Sequence, residues 1–128
     1  MNRIARQPNG AECEPRDHPA RPLAEQRFSE QAFVRAAGFF RVAGDVSRLK
    51  LLARLAEGEW CVTELAHAAG LALPTVSQQL RLLRAEALVT RRRVAKHVYY
   101  SLADRHIQDL IVNALEHGAE EPSTSDDG

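Results

Sequence analysis

The segment "DRHIQDLIVNALEHGAEE", residues 104–121, carries His106 and His117 with acidic neighbours at each end. Imidazole and carboxylate together are ligands for a borderline divalent ion such as zinc. At 100° per residue the two histidines return to within about 20° of the same helical face, yet stand about 16 Å apart along the axis. Zinc binds nitrogen at about 2 Å, so one straight helix cannot clamp an ion with both. The chemistry is split into two half-sites, and something outside the helix has to close the gap.

The helix itself is well specified. Asp104 is placed to cap it, and Ile107, Leu110, Ile111, Ala114 and Leu115 recur at the i, i+3, i+4, i+7, i+8 spacing of an apolar stripe. Upstream, "LVTRRRVAKHVYYSL" changes period: Val89, Arg91 and Arg93 alternate with Thr90, Arg92 and Val94, and Val98, Tyr99 and Tyr100 favour strand. Two strands joined near residues 94–96 make a basic hairpin. Before it, "PTVSQQLRLLRAEAL" predicts a helix with Pro74 in its first turn, Val76, Leu80 and Leu83 inward, and Thr75, Ser77, Gln78, Gln79, Arg81 and Arg84 left polar. "CVTELAHAAG" predicts a short helix capped by Thr63 and stopped by Gly70. "GDVSRLKLLARLAEGEW" predicts another, with Asp45 as cap, a stripe of Leu49, Leu52 and Leu55, and Gly58 at its end. Helical patterning starts near Ala24, with Phe33, Ala36, Ala37, Phe40 and Ala43 on one face.

Short helix, turn, second helix and basic hairpin is the order of a winged helix-turn-helix, in which the second helix enters the major groove and the hairpin follows the backbone. The expected fold class is mainly α with a small β-hairpin. The residue types suit the task. Glutamine pairs with adenine, Ser and Thr bond base or phosphate, and arginine reaches guanine or phosphate. Arg91, Arg92, Arg93 and Lys96 supply phosphate neutralisation at the hairpin.

Charge agrees with this. The 128-residue chain has 17 basic and 17 acidic residues, but they are segregated. Residues 74–106 hold seven Arg/Lys against two acids, and from Ile107 onward there are six acids and no Lys or Arg. A basic block in a neutral protein points to a local polyanion contact, here double-stranded DNA. Two cysteines, Cys13 and Cys61, are too few for a disulfide scaffold, and no stretch approaches the roughly 20 apolar residues of a membrane span. A cytoplasmic protein with no membrane partner is expected, with reduced thiols available to metals. The expected organisation is a flexible N-terminal arm over residues 1–22, a winged-helix DNA-binding and dimerisation domain over 23–121, and a disordered tail over 122–128.

The motifs "GDVSRLKLLARL", "EWCVTELA", "LPTVSQQLRLLRAEALV", "HVYYSLADRHI" and "NALEH" resemble the ArsR/SmtB family of metal-responsive repressors, over about residues 33–121, with the zinc-responsive SmtB branch closest. The resemblance implies a homodimer joined through its N- and C-terminal helices. It would occupy an operator as apo-protein and leave it when Zn(II), or Cd(II) or Co(II), binds. It also implies that the last helices of two subunits pair antiparallel, each of two sites taking an Asp and a His from one and a His and a Glu from the other. Residue by residue this carries over to Asp104, His106, His117 and Glu120, with the adjacent Glu121 as an equal alternative on sequence alone. Antiparallel pairing would supply the closure that a single helix lacks.

A second ligand set is implied by the same resemblance: Cys61, Glu64 where the family commonly has Asp, and Cys13 and His18 from a partner's arm. Thiolate with imidazole would take Zn(II), and Cd(II) more readily. With Trp60 and Thr63 flanking "CV", the cysteine cluster of arsenic-sensing members is absent. His67 is expected as a partly exposed helix residue and His97 as a hairpin side chain beside Tyr99, both outside the ligand sets. The alternative function is a thiol- or redox-sensing repressor of the same fold that uses Cys13 and Cys61. No enzyme is expected, and no small organic substrate: there is no HExxH, no glycine-rich phosphate loop and no cleft-forming α/β pattern.

Overall fold

The computed structural model describes residues 12–122. The first eleven residues of the expected arm, and the expected tail beyond Pro122, lie outside the described residues. Contacts divide the chain into two units, residues 1–30 and 31–128. Among the described residues, the first contains a 3-10 turn, Pro15–Asp17, and a one-turn helix α1 (Ala24–Arg27). The helical run expected from Ala24 breaks at once, because Phe28 is extended at φ −126° and ψ 142°. A new helix, α2 (Glu30–Ala43), follows.

The second unit continues through α3 (Val46–Leu55), β1 (Trp60–Cys61), α4 (Val62–Ala69), α5 (Leu73–Ala85), β2 (Val89–Val94), β3 (His97–Leu102) and α6 (Arg105–Ala119). Local chemistry sets most of these boundaries. The Asp45 carboxylate accepts from Arg48 N at 3.0 Å and caps α3. Gly70, at φ 68°, takes the left-handed conformation that ends α4. Asp104 accepts from Ile107 N at 3.0 Å and caps α6. The expected Thr63 cap is corrected: Cys61 is the residue that precedes α4, and the Glu64 side chain reaches back to accept from Cys61 N at 3.3 Å. Thr63 then lies inside the first turn.

The hairpin expected from the alternating run is present, with Arg91 opposite Tyr100, Arg92 opposite Tyr99 and Arg93 opposite Val98. A third strand was not anticipated. Trp60 and Cys61 pair antiparallel with Tyr100 and Tyr99, giving the order β1-β3-β2. The short strand is held at its base by the Trp60 indole, which donates to Arg54 O at 3.0 Å.

One core joins these pieces. Leu51, Leu52 and Leu55 of α3, Leu65 of α4, and Val76, Leu80 and Leu83 of α5 pack with Leu88, Tyr100, Ile107 and Ile111. Removing such side chains from water is the main source of stability, at about 1.5–3 kcal/mol for each fully buried aliphatic. The apolar face expected of α2 is split. Ala43 packs on the core with Phe39 and Val42, whereas Phe40 is 61% exposed. The helix is apolar on more than one side, so periodicity alone did not choose which side turns inward. No described helix is long and apolar enough to cross a membrane.

Candidate functional site

Two surfaces gather the residues singled out by sequence. The first is formed by α5 and the hairpin. Val76, Leu80 and Leu83 root α5 in the core, so its remaining faces are turned outward. Thr75 and Gln78 are exposed, and Arg81 donates to Gln78 Oε1 at 2.9 Å. Ser77, Arg81 and Arg84 share with Arg91 of β2 a concavity of about 260 Å³, a basic groove between helix and hairpin. Gln79 is half-buried instead and donates to Ser47 Oγ on α3 at 3.1 Å.

The three consecutive arginines separate by strand alternation. Arg91 lies opposite buried Tyr100, and Arg93 projects on the same side, two residues on. Arg92 turns to the other side, donates twice to Glu59 at 2.8 Å and lies 5.0 Å over the Tyr99 ring. The hydrogen bond from Arg92 holds the Glu59 carboxyl below its ordinary range; desolvation opposes this, and the guanidinium charge adds to it. The same bond raises Arg92. Lys96 is exposed in the turn between the strands.

The second surface is α6. At its start, Asp104 Oδ1 lies 3.8 Å from His106 Nδ1, and at its end His117 Nδ1 lies 3.8 Å from Glu120 Oε1. The imidazoles are open to solvent, with side chains 97% and 87% exposed. Glu120 is the acid that stands beside His117, having left helical geometry at φ −76° and ψ 144°. Between the two pairs, Leu110 and Ala114 border an apolar concavity of about 150 Å³ shared with Phe40, and Leu115 is 38% exposed.

The second ligand set is divided between the two units. Cys13 Sγ contacts His18 Nε2 within the first. Cys61 and Glu64 meet at the start of α4 in the second. Both cysteines are free, Cys13 exposed and Cys61 buried. His97 does pack by Tyr99, with ring centroids 6.1 Å apart, and it also places Nδ1 3.9 Å from Cys61 Sγ. Sequence spacing missed that approach, since the two lie 36 residues apart. The only signal would have been the pairing of β1 with β3. Among the described residues, no three His, Cys, Asp or Glu side chains are gathered closely enough to hold a metal ion.

Comparison with known proteins gives a consistent picture. The model of the bacterial regulatory protein arsR family matches residues 45–91. A transcriptional repressor SmtB homolog from Synechocystis sp. is 47% identical over 81 residues, covering 63% of this chain and 61% of that protein. The cadmium resistance transcriptional regulatory protein CadC homolog of Staphylococcus aureus is 34% identical over 98 residues, covering 76% of this chain and 81% of its own. Among solved structures, a homodimeric winged helix-turn-helix DNA-binding domain from Mycobacterium bovis superposes with a TM-score of 0.69 at 24% identity, over 85% of this chain and 97% of that one. That likeness bears on the fold, a winged helix-turn-helix.

Proposed function

The chain belongs to the bacterial ArsR family of regulatory proteins, and on that premise we propose that it is a metal-responsive transcriptional repressor. A homodimer holds operator DNA in its metal-free form and releases it when Zn(II), with Cd(II) and Co(II) as alternatives, binds sites completed between the last helices of two subunits. The protein is cytoplasmic in this reading, with double-stranded operator DNA as its partner and Zn(II) as its regulatory ligand.

The observation that carries it is the architecture of α6. Two nitrogen–oxygen pairs, Asp104 with His106 and His117 with Glu120, sit at opposite ends of one helix, each with donors 3.8 Å apart. Donors bound to one tetrahedral ion at about 2.0–2.1 Å lie roughly 3.3 Å from each other, so each pair reaches that spacing by small side-chain rotations. The apolar strip between them, with Phe40, Leu110, Ala114 and Leu115, suits a second copy laid antiparallel. That pairing sets the start of one helix beside the end of the other, and two borderline half-sets become a tetrahedral N/O site of the kind zinc favours.

The reading unit takes the other half of the task. Thr75, Ser77 and Gln78 of α5 are the base-facing candidates, with Gln79 held back by Ser47. Arg81, Arg84, Arg91, Arg93 and Lys96 neutralise phosphates, and Arg92 contributes by holding the hairpin to Glu59. Ile107 and Ile111 share a core with Leu80 and Leu83, and Gln108 donates to Ala56 O at 3.1 Å, so α6 moves together with the reading helix. Fixing the angle between two α6 helices changes the spacing of two reading helices on half-sites about one DNA turn apart.

An operator-binding titration tests this, with Zn(II), Cd(II), Co(II) and Ni(II) added to wild type, to a His106→Ala/His117→Ala variant and to Cys61→Ser. The α6 variant is expected to bind operator normally and to ignore Zn(II). Normal zinc-driven release from that variant would overturn the assignment. Release by oxidant with zinc chelated would favour the thiol-sensing alternative through Cys13 and Cys61.

A further inference from the structure

A concavity of about 430 Å³, larger than the basic groove beside the hairpin, lies between α3 and the turn that joins α4 to α5. Ser47, Lys50, Leu51 and Arg54 line it from α3 at the i, i+3, i+4, i+7 spacing of one helical face, and Ala69 and Leu71 form the opposite side. No carboxylate is among the described residues that line it. Lys50 is exposed, whereas Arg54 is half-buried and donates to Ala68 O at 3.2 Å. That bond fixes the guanidinium against the end of α4 and leaves further N–H groups of its fork to meet an anion.

The position of this concavity around α5 gives it meaning. Ser47, on its lining, is bonded to Gln79 of the reading helix. At 100° per residue, Gln79 lies about 140–160° around α5 from Ser77, Arg81 and Arg84, the residues that line the hairpin groove. Thr75 and Gln78 occupy the exposed arc between them, and Val76, Leu80 and Leu83 the buried one. The two basic concavities therefore flank the reading helix on opposite sides. The major groove of B-DNA is about 12 Å wide, and a helix with its side chains is about 10–12 Å across. A helix seated there brings its flanks against both walls of the groove, and those walls are the phosphates of opposite strands.

We propose that Lys50 and Arg54 form a second phosphate clamp, holding the DNA strand opposite the one held by Arg91 in the same half-site. This rests on the reading of the chain as an operator-binding repressor. Contact with one wall alone leaves α5 able to roll about its axis in the groove. Contact with both fixes that roll, and with it the angle at which Thr75 and Gln78 meet the base edges. Leu51 packs in one core with Leu80 and Leu83, so the clamp and the reading helix are carried by one body. The clamp itself reads no sequence, because phosphates are the same at every step.

The test uses the full chain and a duplex that the wild type selects from random sequence. Lys50→Gln and Arg54→Gln are each expected to lower the salt dependence of binding by about one unit of slope, and to weaken selected and unrelated duplexes by the same factor. Methylphosphonate substitution, which neutralises one phosphate at a time, then locates the contact. Some positions should cost the wild type affinity but cost the Lys50→Gln/Arg54→Gln variant nothing. They should lie on the strand opposite those that lose their effect in Arg91→Ala. An unchanged slope in folded Lys50→Gln, or Lys50-dependent phosphates on the same strand as those of Arg91, would overturn the clamp and leave operator binding standing. With the wild type alone, phosphates that matter on only one strand of each half-site would overturn it too, whatever the variants do. A wild type that selects no duplex would sink the repressor reading itself.

Discussion

In the proposed function Asp104 does two jobs with one carboxylate, and substitution can separate them. It caps α6 through Ile107 N, and it stands at 3.8 Å from His106. Asparagine caps about as well as aspartate but brings no charge to a metal. Asp104→Asn is therefore expected to keep the wild-type melting temperature and to lose zinc affinity. Asp104→Ala should lose both, with about 1 kcal/mol of stability gone in thermal melts. Glu59 carries a pH dependence of definite sign. Its carboxyl is held below the ordinary value in the folded protein, so the Arg92 pair stabilises above the ordinary carboxylate range, and that contribution is lost as pH falls through the lowered value. Wild type and Glu59→Gln should differ near neutrality and converge in acid, as followed by urea melts across pH. At this scale the sequence was informative where a residue acts on its own neighbours, as Asp104 does, and silent where it acts across the fold. Alternation set Arg91 and Arg92 on opposite faces of the strand, but nothing in spacing named their surroundings: Glu59 takes Arg92, and Arg91 enters the basic groove.

Among the elements, legibility followed the same division. The caps at Asp45 and Asp104, the stop at Gly70 and the inward face of α5 were readable because each depends on contacts within a turn or two. The two-residue strand β1 was not, since it exists only against β3. The start of α4 was misread because cysteine is not a favoured capping residue, and Glu64 does the capping from inside the helix. α2 was ambiguous because the side it buries depends on what covers the other. The hairpin turn offers a measurable test: Ala95 sits at φ 55°, a conformation that costs a residue with Cβ about 1–2 kcal/mol. Glycine relieves the cost and gives back about 0.4–1 kcal/mol through the looser unfolded chain. Ala95→Gly is thus expected to stabilise by up to about 1 kcal/mol in denaturant melts without altering operator sequence preference. At Gly70 the same logic runs in reverse, and Gly70→Ala should destabilise by about 1 kcal/mol or more.

For the whole molecule, the proposed function makes pairing of two copies the basis of both metal and DNA binding. A charge placed in the apolar strip, Leu115→Glu, is expected to give a monomer by sedimentation, with operator affinity and zinc affinity lost together. A dimer that persists in that variant would remove the proposed interface. Phosphate contact is separable from it: Arg91→Ala should lower the salt dependence of operator binding by about one unit of slope and leave the dimer intact. Linkage adds a stringent check, because the factor by which zinc weakens operator affinity must equal the factor by which operator weakens zinc affinity. The strand order β1-β3-β2 bears on engineering as well. Because Trp60 and Cys61 are hydrogen-bonded to the returning arm of the hairpin, that arm is no detachable accessory. Transplanting a wing from another repressor onto this scaffold would require moving the dipeptide with it, or the graft would arrive without the edge that sets its tilt.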